Sequence, residues 1–171
     1  MKNLLISAGA LAALALSTPA FAAANDATAD ATVNIVSPLT LENVNGLNFG
    51  TIVAPATGFS GETVEVSTAG VRTCPATLVC TAPASVSAAK FHVKDGTADQ
   101  PLTVTVDNSV TLNGSVSGSV DVDLTTDVPT GVVTDASGAT DFFVGGTLTI
   151  PTGTVDGVYG PAPFNVTVQY Q

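Results

Sequence analysis

The final eight residues, Phe164-Asn165-Val166-Thr167-Val168-Gln169-Tyr170-Gln171, alternate apolar and polar side chains without a break. Phe164, Val166, Val168 and Tyr170 share one face, against Asn165, Thr167 and Gln169 on the other. A period of two belongs to a strand that is half-buried against a core. β-Branched and aromatic residues on the inner face reinforce the assignment. The same period recurs upstream. Leu102, Val104 and Val106 alternate with Thr103, Thr105 and Asp107. Val64 and Val66 face inward within 63–67, and residues 86–94 alternate through Phe91 and Val93. Residues 142–150 make another strand, where Gly145-Gly146 marks a bend, a bulge or a close strand approach.

Turn signals separate these runs. Asn45-Gly46 precedes a strand over Leu47-Asn48-Phe49-Gly50-Thr51-Ile52. Asn113-Gly114 precedes a strand with Val116, Val120, Val122 and Leu124 on one face and Asp121 and Asp123 on the other. Residues 125–140, rich in Thr, Gly, Asp and Ser, read as the longest loop. The sum is about eight strands with no helical period between them. The expected fold is all-β: an antiparallel β-sandwich of immunoglobulin-like topology, with a barrel as the alternative. A membrane barrel is disfavoured, because two Tyr and seven Phe are too few for aromatic girdles.

Composition excludes several function classes. Of 171 residues, 4 are Lys or Arg and 14 are Asp or Glu, for a net charge of -10. Four cations cannot build a basic patch for nucleic acid or for an anionic lipid surface. Catalytic parts are scarce too. His92 is the single histidine and Trp is absent. The chain has no Gly-x-Ser-x-Gly elbow, no Gly-rich phosphate loop and no nucleophile motif around His92. Asp121, Asp123 and Asp127 hint at calcium but lack the Asp-x-Asp-x-Asp-Gly loop, so they are assigned to a solvent face. The chain is expected to be non-enzymatic, with no cofactor and no metal.

Residues 1–22 have the form of a secretory signal peptide. Lys2 leads a thirteen-residue apolar stretch from Leu4 to Leu16, too short to span a bilayer, and Ala20-Phe21-Ala22 supplies a cleavage site before Ala23. No later segment is long and apolar enough to cross a membrane. Cys74 and Cys80 are the only cysteines, and an even count in an exported chain points to one disulfide. It would close a small loop, expected at a hairpin tip. Two Cys with no His nearby make a poor metal site.

Residues 27–35 also alternate: Ala27, Ala29, Ala31, Val33 and Ile35 on one face, Thr28, Asp30, Thr32 and Asn34 on the other. Taken with Phe49-Gly50-Thr51-Ile52 and the C-terminal strand with its penultimate Tyr170, this arrangement resembles exported fimbrial subunits of the chaperone–usher type. The pieces Asn48-Phe49-Gly50-Thr51-Ile52 and Val144-Gly145-Gly146-Thr147-Leu148 also resemble a family of short secreted proteobacterial proteins. That family is labelled as a domain of unknown function and regarded as pilin-like. Fimbrial subunits with a disulfide bridge the first core strand to a point tens of residues later; here both cysteines lie in one short loop, which favours the second family.

The resemblance implies export across the inner membrane to the periplasm, then display at the cell surface in a fimbrium. It implies a polymer of copies of this chain, delivered by a periplasmic chaperone and an outer-membrane usher. The implied organisation is a signal peptide over 1–22, an N-terminal extension over 23–38 and a β-sandwich over 39–171. In that scheme Ala27, Ala29, Ala31, Val33 and Ile35 are a donor strand. Phe164, Val166, Val168 and Tyr170 line the acceptor groove of the next subunit, in the manner of strand addition. Periodicity alone allows another assignment, in which 27–35 is the first strand of its own closed sandwich. The alternative function is a self-contained secreted sandwich that binds a glycan or a cell-surface protein. Tyr170 is either an anchor for an assembly partner or an aromatic with its hydroxyl in water.

Overall fold

A computed structural model describes residues 27–55, 61–81 and 85–171. The signal-peptide assignment, 1–22, lies outside the described residues. Residues 35–171 form one compact unit. In chain order its strands are β1 (Thr40–Asn45), β2 (Thr51–Val53), β3 (Glu62–Val66), β4 (Arg72–Thr73), β5 (Val79–Thr81) and β6 (Ala89–Lys94). Then follow β7 (Pro101–Val106), β8 (Ser109–Asn113), β9 (Ser119–Thr126), β10 (Val132–Val133), β11 (Thr140–Ile150) and β12 (Val166–Tyr170). All ladders are antiparallel. The fold is all-β and sandwich-like, as the alternation predicts. No described helix is long and apolar enough to cross a membrane.

β11 is the spine. Residue Val144 pairs with both Ala89 of β6 and Thr126 of β9, and Gly146 pairs with both Val66 of β3 and Leu124 of β9. β9 therefore runs along one edge of β11, while β6 and then β3 share the other. β8 extends this large sheet beyond β9, β1 extends it beyond β6, and β4 beyond β3. Two smaller sheets, β10-β7-β12 and β2-β5, complete the described strands.

Two apolar clusters lie on the same face of β11, as its even-numbered positions require. Phe142 and Val144 join Ala89, Phe91 and Val93 of β6 and Leu102 and Val104 of β7. Leu148 and Ile150 join Val64, Val66, Val120, Val122, Phe49 and Leu78. The first cluster is covered by the β10-β7-β12 sheet and the second by the β2-β5 region. Leu47 and Leu124 pack against both. Phe91 and Phe142 stack at 5.3 Å between centroids, and Phe164 meets Phe91 edge-on at 6.1 Å, a geometry that aromatic quadrupoles favour.

The boundaries depart from expectation at identifiable places. The expected strand over 47–52 is broken: Asn48 makes a single bridge to Ser87, and only Thr51–Val53 is regular. Gly50 takes φ +70°, and its N–H donates to the Asn48 side-chain oxygen at 2.8 Å, a local turn that wins over extension. Val116 does not face the core. It is 75% exposed, because Asn113 pairs with Ser119 and residues 114–118 form a longer connection than Asn-Gly implies. β8, just before that connection, is an additional strand. Residues 125–140 are not one loop, since β9 runs to Thr126 and β10 pairs with β7 in between. The longest fully described connection between strands is instead 151–165.

Cys74 and Cys80 form the expected disulfide. It does not cap a hairpin, because β4 pairs with β3 and β5 pairs with β2. Leu78 explains the difference: it is buried in the second cluster and turns the loop into the core. Arg72 supports the same region by donating to the carbonyls of Phe49 at 2.7 Å and Thr81 at 3.0 Å.

Candidate functional site

β12 lies at the edge of its sheet and packs over the first cluster. Its position follows from its sequence: Val166, Val168 and Tyr170, with Phe164 just before the strand, pack over the first cluster, and the polar residues between them face outward. Phe164, Val166, Val168 and Tyr170 are each half-buried against Phe91, Leu102, Phe142 and their neighbours. On its inner edge β12 pairs with β7 from Val166↔Val106 to Tyr170↔Leu102. Its other edge has no strand beside it among the described residues.

The register says which backbone groups point to that open edge. Gln171 N–H donates to Pro101 at 3.1 Å, and Asp107 N–H donates to the Asn165 carbonyl at 3.0 Å. Hydrogen-bonded pairs alternate along an antiparallel ladder, so the odd-numbered residues of β12 bond to β7. The backbone groups of Val166, Val168 and Tyr170 therefore point outward. These same residues aim their side chains at the core. An incoming strand would meet apolar side chains and unpaired backbone donors and acceptors from one set of residues.

β1 supplies a second edge, since it pairs only with β6 among the described residues. Leu39 and Leu41 pack on the same cluster as β12. Lys94 of β6 bonds Glu42 of β1 on the outer face.

Residues 27–34, described by themselves, contain no strand and are exposed, as is Ile35. Val33 is 83% exposed and Ile35 85%. Residues 27–35 carry no strand of their own.

Tyr170 differs from the expectation of a hydroxyl in water. Its hydroxyl accepts from Thr97 N–H at 2.9 Å and donates to the Ser37 carbonyl at 2.7 Å. Ser37 N–H donates in turn to the Thr97 hydroxyl at 2.8 Å. The three residues make a closed ring at the C-terminal end of β12. Nothing local in the sequence singles out Ser37 or Thr97; only the alternation that makes Tyr170 inward-facing hints at the contact.

The other sequence candidates take structural places. His92 lies on the outer face of β6 with Nδ1 2.6 Å from the Asp141 carboxylate, and Lys90 reaches the other oxygen at 2.8 Å. The Lys90 bond, then the His92 bond, hold the Asp141 carboxyl below its usual range. Asp121 accepts from the Thr111 hydroxyl at 2.6 Å and Asp127 from Phe143 N–H at 2.9 Å, each tied to its own sheet. No group of three or more His, Cys, Asp or Glu among the described residues is placed to hold a metal ion.

No curated protein and no solved structure matches the chain. The model of a domain of unknown function, DUF4402, matches residues 39–170, from the start of β1 to the end of β12, and the chain belongs to that family.

Proposed function

We propose that this chain is a secreted, non-enzymatic structural subunit of a surface fibre, assembled by strand exchange between copies. The observation that carries the proposal is a complementary pair: an alternating, exposed 27–35 that carries no strand of its own, and an open β12 edge backed by half-buried apolar side chains. Ala27, Ala29, Ala31, Val33 and Ile35 of one copy enter the groove beside Phe164, Val166, Val168 and Tyr170 of the next. Backbone bonds to the edge supply affinity, and alternate side chains supply register. Donor and acceptor are different patches, so the contact is head-to-tail and grows a filament rather than closing a dimer. The small side chains of Ala27, Ala29 and Ala31 call for shallow pockets in the acceptor, and Val33 and Ile35 contribute most of the buried area. A periplasmic chaperone and an outer-membrane usher are the partners this function calls for, the former covering the open β12 edge before assembly.

The test starts from the chain that begins at Ser37. It should stay monomeric, and a peptide of residues 27–35 should bind it and raise its melting temperature. The chain beginning at Ala23 should form filaments visible by electron microscopy. A peptide without effect, together with a longer chain that stays monomeric at every concentration, would overturn the proposal. Binding of a glycan by the monomer would favour the adhesin-like alternative.

A further inference from the structure

A subunit that carries both a donor and a groove can fill its own groove, which would end assembly. We propose that the ring of Ser37, Thr97 and Tyr170 denies the chain's own arm the antiparallel register, the stronger of the two ladders, by holding the root of that arm at one end of β12. The inference rests on the strand-exchange function proposed above and adds the contact that decides between self and neighbour.

Chain reach makes the argument. Antiparallel pairing along β12 would place Ile35, the C-terminal end of the arm, at the Val166 end. β12 spans about 13 Å from Val166 to Tyr170 at the usual rise per residue. Ser37 is held at the Tyr170 end by its own N–H and its own carbonyl. Ile35 lies two positions from Ser37, a reach of about 7 Å at most. The arm therefore falls short of its own antiparallel register, and a neighbour's arm has no such tether. Parallel self-insertion would require the chain to reverse between Val36 and Leu39. Parallel pairing is also the weaker ladder.

The surroundings make the hold rigid. Gly96 lies under the ring, where an added Cβ would fall 2.8 Å from Leu39 Cδ2 and 3.1 Å from the Tyr170 hydroxyl. Gly96 N–H donates to the Gly138 carbonyl at 3.1 Å, which pins the loop that presents Thr97. If the ring opens, the tether shifts to Thr40, the first residue of β1. Thr40 lies five positions from Ile35, a reach of about 17 Å, longer than the distance of about 13 Å from Tyr170 to Val166.

The experiment compares the chain beginning at Ala23 with its Tyr170→Phe and Thr97→Val variants. Tyr170→Phe keeps the ring in the groove and removes both hydroxyl bonds; Thr97→Val removes the acceptor for Ser37 N–H. A third chain carries a copy of residues 27–35 after Gln171 through a short turn, which supplies an antiparallel donor without the tether. Assembly is followed by size-exclusion chromatography, and protection of 27–35 in the monomer fraction by hydrogen exchange. Both variants should show a several-fold rise in monomer at the expense of polymer, with 27–35 protected in that monomer. A merely structural loss would lower stability without protecting the arm. Polymer yield unchanged in both variants, or extra monomer with an unprotected arm, overturns the inference; a stable monomer from the third chain would then show that strand exchange survives without it. A third chain no more stable than the chain beginning at Ser37 removes strand exchange itself, and this inference with it.

Discussion

Gly145 sits where β11 passes from β6 to β3, and an added Cβ there would lie 2.4 Å from the Val66 carbonyl oxygen and 2.8 Å from the Ser67 carbonyl carbon and the Thr68 nitrogen. All three are backbone atoms, which cannot rotate away. Gly145→Ala should therefore destabilise the fold by about 3 kcal/mol, the upper range for overpacking. Gly46→Ala, with nothing within 4 Å of its added Cβ, is the control and should be close to neutral. Equilibrium denaturation checks both. The Gly145-Gly146 pair was legible in the sequence as a site of close approach, but the atoms it accommodates were not, because they come from a strand some eighty residues earlier. Asp141 offers a second test at this scale. Its carboxyl is held below the usual range by Lys90 and then His92. A lowered pKa in the folded state adds stability that is present above the unfolded value, about 4, and is lost as pH falls through the folded value. The side chain is 40% exposed, so the effect should stay under about 1 kcal/mol. The stability gap between the wild type and Asp141→Asn should shrink as pH drops below about 4, measured by thermal melts across that range.

At the scale of elements, β12 and residues 27–35 share one sequence pattern and have different fates. Both alternate, and period two alone does not say which edge a strand will find. That is why β12, β7, β6, β3 and the spine β11 could be read from the residues, while the pairing of β8 and the break at Gly50 could not. Hairpin connections and left-handed turns are decided by a few dihedral angles that composition only suggests. The ring at Tyr170 was still less visible, since it joins residues 133 and 60 positions apart through side-chain oxygens. The donor assignment gives a clean variant. Val33 is 83% exposed, so Val33→Asp should leave the stability of the monomer within about 0.5 kcal/mol. In an apolar groove the same carboxylate would be buried without a partner, and filament growth should stop. Filaments of normal length from Val33→Asp would remove Val33 from the groove. The disulfide belongs to this scale as well. Cys74–Cys80 closes a short loop that seats Leu78 in the second cluster. Replacing both cysteines with Ser should cost about 2–3 kcal/mol, read from the denaturation midpoint, and should leave the first cluster and β12 in place.

For the whole molecule, the net charge of -10 governs how copies meet. Residues 1–22 contain Lys2 and no acid, so a chain beginning at Ala23 is more negative still. Like-charged subunits repel across the distance set by the ionic atmosphere, about 10 Å at 0.1 M salt. The contact proposed for assembly is of another kind. Among residues 27–35 only Asp30 is charged, and the inward faces of both donor and β12 carry no charge at all. Repulsion therefore acts on the encounter and strand insertion acts on the finished contact. Association rates should rise as salt is raised from low to about 0.5 M, because screening removes the barrier to approach. Dissociation of formed filaments should change little over the same range, because backbone bonds and buried apolar area are not screened. Light scattering during assembly measures the first, and dilution of formed filaments measures the second. Filaments that fall apart as salt rises would mean that charge pairs hold the copies together, and the strand-exchange function would have to be given up.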